Sequence, residues 1–390
     1  MTQSSERFIY LDNAATSWPK PVTVVQAMSD FLATSAGSPG RGSHRLALAA
    51  GRVVSRCRSE LASFLGIADP SRLVFTMNTT DSLNLAIKGL LRPGDHVVTS
   101  SVEHNSVTRP LHALAKRIGV TTDFVPVSPG GNLDPADFER LARPNTRLFI
   151  LSHASNVTGA VMPVAEVGQI AGSRGIFFLV DGAQSVGLLP VKVQEWSIDL
   201  LAFPGHKSLL GPPGTGGLYI RPGLDLDTVR EGGTGTQSEL PDQPEQCPER
   251  HEAGTPNTVG LAGLRAGVGY LKAQGQTALY QHEMDMARLL AEGLKELAPK
   301  IKTYLPEPKL HGTPIVLFNI GEADPGQIGF ALDRTYGIAV RGGLHCAPST
   351  HRVLGTIQQG GAVRLSPGPF TTAEDVETAV GAIAALSKQI

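Results

Sequence analysis

Short apolar runs alternate with stretches of helical spacing through the first two-thirds of the chain, and no other feature narrows the fold so far. Leu73 to Met77 is one such run. His96 to Ser101, Phe124 to Val127, Arg147 to Ser152, Ile176 to Val180 and Leu200 to Phe203 follow it. Between several of them the apolar spacing turns helical. Arg45 to Leu65 carries Leu46, Ala50, Val53, Val54, Cys57, Leu61 and Leu65, and Leu83 to Leu91 has the same period. Strands alternating with helices predict an α/β fold with a mostly parallel central sheet covered on both faces. Ligands of such sheets collect in the crevice at the carboxyl ends of the strands.

From about Gly260 the pattern changes. Leu261 to Leu271 and Glu283 to Leu297 read as helices, the second ended by Pro299, and Ile315 to Ile320 reads as a strand. Thr371 opens a last helix, with Glu374 and Asp375 in its first turn and Val376, Val380 and Ile383 on its stripe. This predicts a second, smaller α+β unit, for which a chain of 390 residues is long enough. Residues 234–256 carry four prolines and little periodicity, so they read as a functional or mobile loop.

Charge and cysteine content exclude several function classes. The 34 basic and 35 acidic residues nearly cancel, so the surplus of a nucleic-acid-binding protein is missing. No apolar signal core opens the chain and no apolar run is long enough to cross a bilayer; a soluble cytoplasmic protein is expected, without a membrane partner. Cys57, Cys247 and Cys346 are too few for a disulfide framework and too scattered for a zinc knuckle, so no metal site is expected.

Polar clusters sit at the ends of the strand-like runs, as the crevice rule requires. Asn78-Thr79-Thr80-Asp81 suits either a phosphate at a helix N-terminus or an ordinary N-cap. His104, in Ser101-Val-Glu-His-Asn105, suits stacking on an aromatic ligand, acid/base work or a plain hydrogen-bonded surface role. Ser152 to Gly159 contains Asn156 and also reads as a simple turn. Asp181 ends an apolar strand, where a carboxylate needs a positive partner such as a protonated ring nitrogen, or else caps a helix. Lys207 sits in a turn after another apolar strand, with Gly211, Gly214, Gly216 and Gly217 behind it. A lysine kept partly dry there has a lowered pKa and can form a Schiff base. It precedes its glycines, so this is not a P-loop. Together a Schiff-base lysine, a ring-nitrogen acid, a phosphate cradle and a ring-face group describe a site for pyridoxal 5'-phosphate.

At this point the residues resemble a known family. Tyr10-Leu-Asp-Asn-Ala-Ala-Thr16, Glu103-His-Asn105, Ser155-Asn156, Val180-Asp-Gly-Ala-Gln184, Gly205-His-Lys207 and Gly254-Thr-Pro-Asn257 are similar to class V aminotransferase-fold enzymes. Within that class the set most resembles the cysteine desulfurase and selenocysteine lyase group. Arg341 to Pro348 and Val363 to Gly368 extend the likeness, which runs from about residue 10 to residue 370. The resemblance implies the fold type I aminotransferase architecture. It implies a large domain over 14–260 and a small one over 261–390, with 1–13 packed on the latter, in a homodimer.

Carried over residue by residue, the resemblance makes Lys207 the Schiff-base lysine and proton carrier and sets His104 on the ring face. Asp181 would hold the pyridinium nitrogen and Gln184 the ring oxygen. Thr79, Thr80 and His206 would hold the phosphate, joined by Thr255 from a second subunit. Asn156 and Arg364 would grip the substrate carboxylate, and Arg suits that task through its bidentate fork. Cys346 would accept sulfur from L-cysteine, with Arg341 and His345 expected to lower its pKa, and would pass it to an acceptor protein. Cys57 reads as inert core and Cys247 as exposed. One departure stands out: family members usually carry Ser or Thr three residues before the lysine, where this chain has Pro204, which brings neither hydroxyl nor N–H. The same fold also serves selenocysteine lyases, C–S β-lyases and epimerases, and a non-enzymatic scaffold would be a further outcome.

Overall fold

The computed structural model describes residues 8–40, 42–307 and 312–390. Its centre is a seven-stranded sheet. In spatial order the strands are Leu73–Thr76, Gly216–Ile220, Leu200–Pro204, Phe177–Asp181, Thr146–Ser152, His96–Ser100 and Thr121–Val125. All run parallel except Gly216–Ile220, which is antiparallel to both neighbours. This is the expected α/β architecture of the fold type I aminotransferases.

Side-chain alternation builds the core. Val98, Phe149, Leu151, Phe178, Val180, Leu201 and Phe203 face one apolar cluster, shared with Cys57 and Leu61 of helix Arg45–Phe64 and Val164 and Val167 of helix Val164–Arg174. The residues between them, Val97, Leu148, Ile150, Leu179, Leu200 and Ala202, face the opposite cluster. Helices Thr79–Leu90 and Asn105–Ile118 cover that side through Leu83, Ile87, Val107 and Leu111. A period of two thus feeds both covers of a buried sheet.

Strand Gly216–Ile220 is not among the sequence expectations, because two of its five residues are glycines with little strand preference. Close packing explains them. A Cβ on Gly217 would come within 2.5 Å of the Phe203 ring, and one on Gly216 within 2.9 Å of Asn78 Cα. The bare backbone lets the start of helix Thr79–Leu90 settle onto the sheet.

The smaller unit has a four-stranded antiparallel sheet, ordered Arg341–Gly343, Ala362–Leu365, Val316–Ile320 and Ile301–Tyr304. Helices Gln276–Lys295, Pro325–Tyr336 and Ala373–Ser387 share its apolar cluster. The last helix starts one residue later than expected: Thr372, not Thr371, is its N-cap and forms a capping box with Asp375, while Glu374 and Asp375 do lie in the first turn. Strand Ile9–Tyr10 pairs with Ile338–Ala339, and Ile9 and Leu11 enter the same cluster; residues 1–7 of the expected N-terminal segment lie outside the described ones. The expected domain boundary at 260/261 falls inside helix Thr258–Gln274. That helix puts Leu261, Leu264, Val268 and Leu271 into the core of the large sheet, so we propose the division at Gly275. Among the described residues, no helix is long and apolar enough to cross a membrane.

Helix Val164–Arg174 lies so close to the segment beside it that a Cβ on Gly168 would stand 1.9 Å from the Trp196 carbonyl oxygen. Gly168→Ala must move backbone, and the expected destabilisation is about 1–3 kcal/mol. A lowered urea midpoint with unchanged slope checks it.

Candidate active site

A cleft of about 520 Å³ opens at the carboxyl ends of the parallel strands, roofed by the smaller unit. Thr79, Thr80, His104, Asn156, Asp181, Gln184, His206, Lys207, Cys346 and Arg364 all line it. These come from chain segments far apart in sequence. Thr255 does not line it: it is exposed, on a separate cleft beside Arg230 and Met77. Pro204 is buried at the end of its strand opposite Gly216 and is absent from the lining.

The phosphate-like end is a helix start. Asn78 caps helix Thr79–Leu90 by accepting the Asp81 amide at 3.0 Å. The first amides of a helix have no partner within it and mark its electropositive end. Thr80 Oγ1 lies 2.7 Å from Ser106 Oγ, which in turn lies 2.9 Å from His104 Nδ1. The Ser106 amide donates to the same Nδ1, so the imidazole proton belongs on Nε2. Burial lowers the His104 pKa to about 4, helped by the charges of Lys207, Arg109 and Arg364. His104 is therefore a neutral ring at pH 7.

Asp181 is 4% exposed and accepts the Ala183 amide at 2.9 Å. No helix follows it, so it caps a turn. No cation lies within ion-pair distance of it among the described residues. Burial raises its pKa, opposed by the Ala183 bond and by Lys207. Gln184 beside it donates to the Ala14 carbonyl oxygen at 3.0 Å. Beneath lies Glu103, unremarked in the sequence except as part of a motif. It takes the Ser100 hydroxyl at 2.6 Å and the Ser152 hydroxyl at 2.5 Å, yet burial still pushes its pKa up to about 7.

Lys207 Nζ has no hydrogen bond among the described residues. Burial lowers its pKa to about 8, with Arg364 acting in the same direction and Asp181 and Asp12 against it. Its backbone is firmly held. The His206 carbonyl oxygen accepts from the Ser17 amide, Thr16 Oγ1 and Lys20 Nζ at 3.1, 3.0 and 2.8 Å. Ser17 Oγ lies 3.0 Å from the Lys207 carbonyl oxygen. Thr16 enters the sequence reading only as the end of a motif and Ser17 and Lys20 not at all, because nothing local marks a segment that bonds to backbone some 190 residues away. Burial lowers the His206 pKa to about 4 as well, with Lys207 and Lys20 adding to the effect.

The smaller unit supplies Cys346, itself exposed, on a turn in which the buried His345 and Cys346 both have left-handed backbone, at φ 50° and 55°. The turn is pinned by the Asn105 amide on the Cys346 carbonyl oxygen (2.8 Å) and by Asn156 Nδ2 on that of His345 (2.7 Å). One expectation is corrected here. Burial lowers the His345 pKa to about 3, with Arg364 contributing, so the ring is neutral and brings no positive charge to the thiol. Arg341 does carry charge beside Cys346. Of the other thiols, burial pushes Cys57 up to about 12, and Cys247 is half-buried and raised.

Arg364 and Asn156 reach the cleft with part of their hydrogen-bonding capacity already engaged. Arg364 donates from Nη2 to Asp12 at 2.9 Å and from Nη1 to the Asn156 carbonyl oxygen at 2.8 Å. Its buried Nε has no partner among the described residues. Asp12 also takes Nη2 of Arg341 at 2.7 Å. The donor set fits pyridoxal phosphate: a buried carboxylate with no ion-pair partner among the described residues for a cationic ring nitrogen, a depressed-pKa amine for an aldehyde, and a helix N-terminus with hydroxyls for an anion.

Comparison with known proteins agrees with that fit. A family model for class-V aminotransferases matches residues 9–378. A probable cysteine desulfurase of Methanothermobacter thermautotrophicus is 36% identical over 375 residues, covering 95% of this chain and 92% of the relative. One of Pyrococcus abyssi is 36% identical over 398 residues, covering 99% and 96%. Among solved structures, the apo cysteine desulfurase of Thermococcus onnurineus superposes with a TM-score of 0.91 at 36% identity, over 98% of this chain and 95% of that one. The cysteine desulfurase CsdA of Escherichia coli gives 0.88 at 29% identity over the same shares.

Among the described residues, Asp12 is the sole carboxylate paired with both guanidiniums of this roof, and Arg364 is almost fully buried. Asp12→Ala strands a buried charge, and the expected loss is about 3–5 kcal/mol of stability. Chemical denaturation reads it, and a midpoint unchanged from the parent would contradict the assignment.

Proposed function

Because this chain belongs to the class-V aminotransferase family, in its cysteine desulfurase group, we propose that it takes sulfur from L-cysteine, leaving L-alanine and a persulfide on Cys346. The fold and the family imply a pyridoxal-phosphate enzyme. The observation that carries the finer reading is the meeting, at one cleft, of a partly dry amine from the large unit and an exposed thiol from the small one.

In this reading Lys207 holds the cofactor's aldehyde carbon, Asp181 its ring nitrogen and Gln184 its ring oxygen. His104 covers the ring face, and Thr79, Thr80 and His206 hold the phosphate. Thr255 joins them from a second copy of the chain. Val22, Val25 and Leu32, exposed on helix Val22–Thr34, support such a dimer. When bound, pyridoxal phosphate supplies an electron sink for the substrate's Cα. Lys207, freed as a neutral amine, takes and returns the Cα proton. Arg364 and Asn156 orient the substrate carboxylate, which requires Arg364 to share its fork with Asp12 or turn its free Nε to the ligand. The Cys346 thiolate attacks the substrate sulfur. A sulfur–sulfur bond forms as the Cβ–S bond breaks, and that bond's electron pair stays on the carbon side, which is protonated to the methyl of alanine. An acceptor thiol or protein then removes the terminal sulfur.

The test is alanine and sulfide production from L-cysteine by the cofactor-loaded protein with a reductant present. Equal yields are expected, and Cys346→Ser should abolish both while leaving the cofactor's visible absorbance in place. Pyruvate in place of alanine would instead mean elimination and sink the reading. Lys207→Ala should lose the visible absorbance without unfolding.

A pH dependence follows from Lys207. Its neutral amine is the species that captures the cofactor, so capture by the apoprotein should rise with pH and level off above about 8. Stopped-flow absorbance checks this; a plateau reached only above 10 would place the amine in solvent.

A further inference from the structure

Two consecutive non-glycine residues in left-handed backbone, His345 and Cys346, form a strained turn that its surroundings must hold. The pair is unique among the described residues. Two of the bonds that hold it run to backbone carbonyls, from Asn105 and from Asn156. A third set of contacts is a line of side chains that the chemistry above does not use.

Partners along this line settle each proton in turn. His345 Nε2 lies 3.1 Å from the Arg341 carbonyl oxygen, which only accepts, so Nε2 carries the hydrogen and Nδ1 is bare. That Nδ1 lies 3.1 Å from His351 Nε2, which must therefore donate. His351 Nδ1, bare in its turn, lies 2.8 Å from Thr356 Oγ1 and accepts the hydroxyl. His351 has no solvent exposure. It sits on the short helix Pro348–Val353, and that helix is tied to the large unit where Thr350 Oγ1 donates to the Val102 carbonyl oxygen at 3.1 Å. Val102 is two residues before His104.

We propose that His351 is a positioning residue for the sulfur-accepting thiol, acting only through His345 to clasp the left-handed turn that presents Cys346 to the cleft. The proposal rests on the reading of Cys346 as the nucleophile. It gives the neutral His345 a task in place of the electrostatic one expected from sequence. The clasp tolerates no added proton at His345 Nδ1, which would face the His351 N–H donor to donor.

The surroundings keep it neutral. Burial lowers His345 to about 3 and His351 to about 4, and the Arg364 and Arg341 guanidiniums add to the effect at His345. In an opened loop both rings return towards the ordinary value near 6.5. The clasp therefore holds fully above about pH 6.5, and its stability is lost progressively as pH falls towards the closed-state values.

The experiment compares holoenzyme carrying His351→Leu, which removes the donor, with His351→Gln, whose amide can donate in its place. Hydrogen–deuterium exchange over residues 341–356 reads the clasp without reference to activity. Exchange about tenfold faster or more is expected in the leucine variant, and near-parental exchange in the glutamine variant. With L-cysteine, kcat should fall by about tenfold in the leucine variant at unchanged KM and unchanged cofactor absorbance, with recovery in the glutamine variant. Should the leucine variant fail to fold, Thr356→Val removes the far end of the line and should shift exchange in the same direction. Parental exchange in the folded leucine variant overturns the clasp alone, and faster exchange at parental kcat overturns the positioning role. Retained alanine formation by Cys346→Ser overturns the nucleophile reading, and this role falls with it.

Discussion

One buried carboxylate organises the roof of the cleft. Asp12 is 7% exposed and divides itself between Arg341 and Arg364, two residues that strands of the smaller sheet set directly opposite each other. Without Asp12, the buried Arg364 guanidinium would face the half-exposed Arg341 with no carboxylate between them. Together with Asp12 they form a unit of net charge +1, which suits a wall facing an amino acid's carboxylate. The arrangement also fixes the N-terminal segment: Leu11 bonds to Ala339, and the Ser366 amide returns to Leu11. Asp12 is held by backbone on both sides while it holds the arginines.

The same logic of burial governs the floor. Asp181, Glu103 and Lys207 are all pushed by desolvation towards their neutral forms, and His104 and His206 likewise. A cleft that penalises charge this broadly is prepared for partners that bring compensating charge with them. Lys207 and Asp181 already feel each other without touching.

Much of this was legible in the sequence because it depends on local rules. Period-two runs mark the buried strands, and polar residues at their ends mark the crevice, so Thr79, His104, Asp181 and Lys207 all line one cleft. Residues whose meaning lies in distant partners were not legible. Nothing near Lys20 signals that it bonds to His206, and nothing near His351 signals its bond to His345. Strand Gly216–Ile220 was hidden because its glycines answer to Phe203 and Asn78 rather than to strand preference. The charge expected of His345 failed for a related reason: a short motif places a histidine beside a thiol, but only the packed structure says whether its ring meets water.

The donors gathered on the His206 carbonyl oxygen bear on how Lys207 can move. With that peptide fastened from the N-terminal segment, the backbone at residue 207 is a fixed pivot. Whatever travel the amine makes comes from the torsions of its methylene stem. Such an arm sweeps a small, repeatable arc, and each position on it is reached by rotamer changes alone. In the proposed reaction, where the amine must leave one atom, visit another and return, an anchor that does not yield gives it reproducible aim.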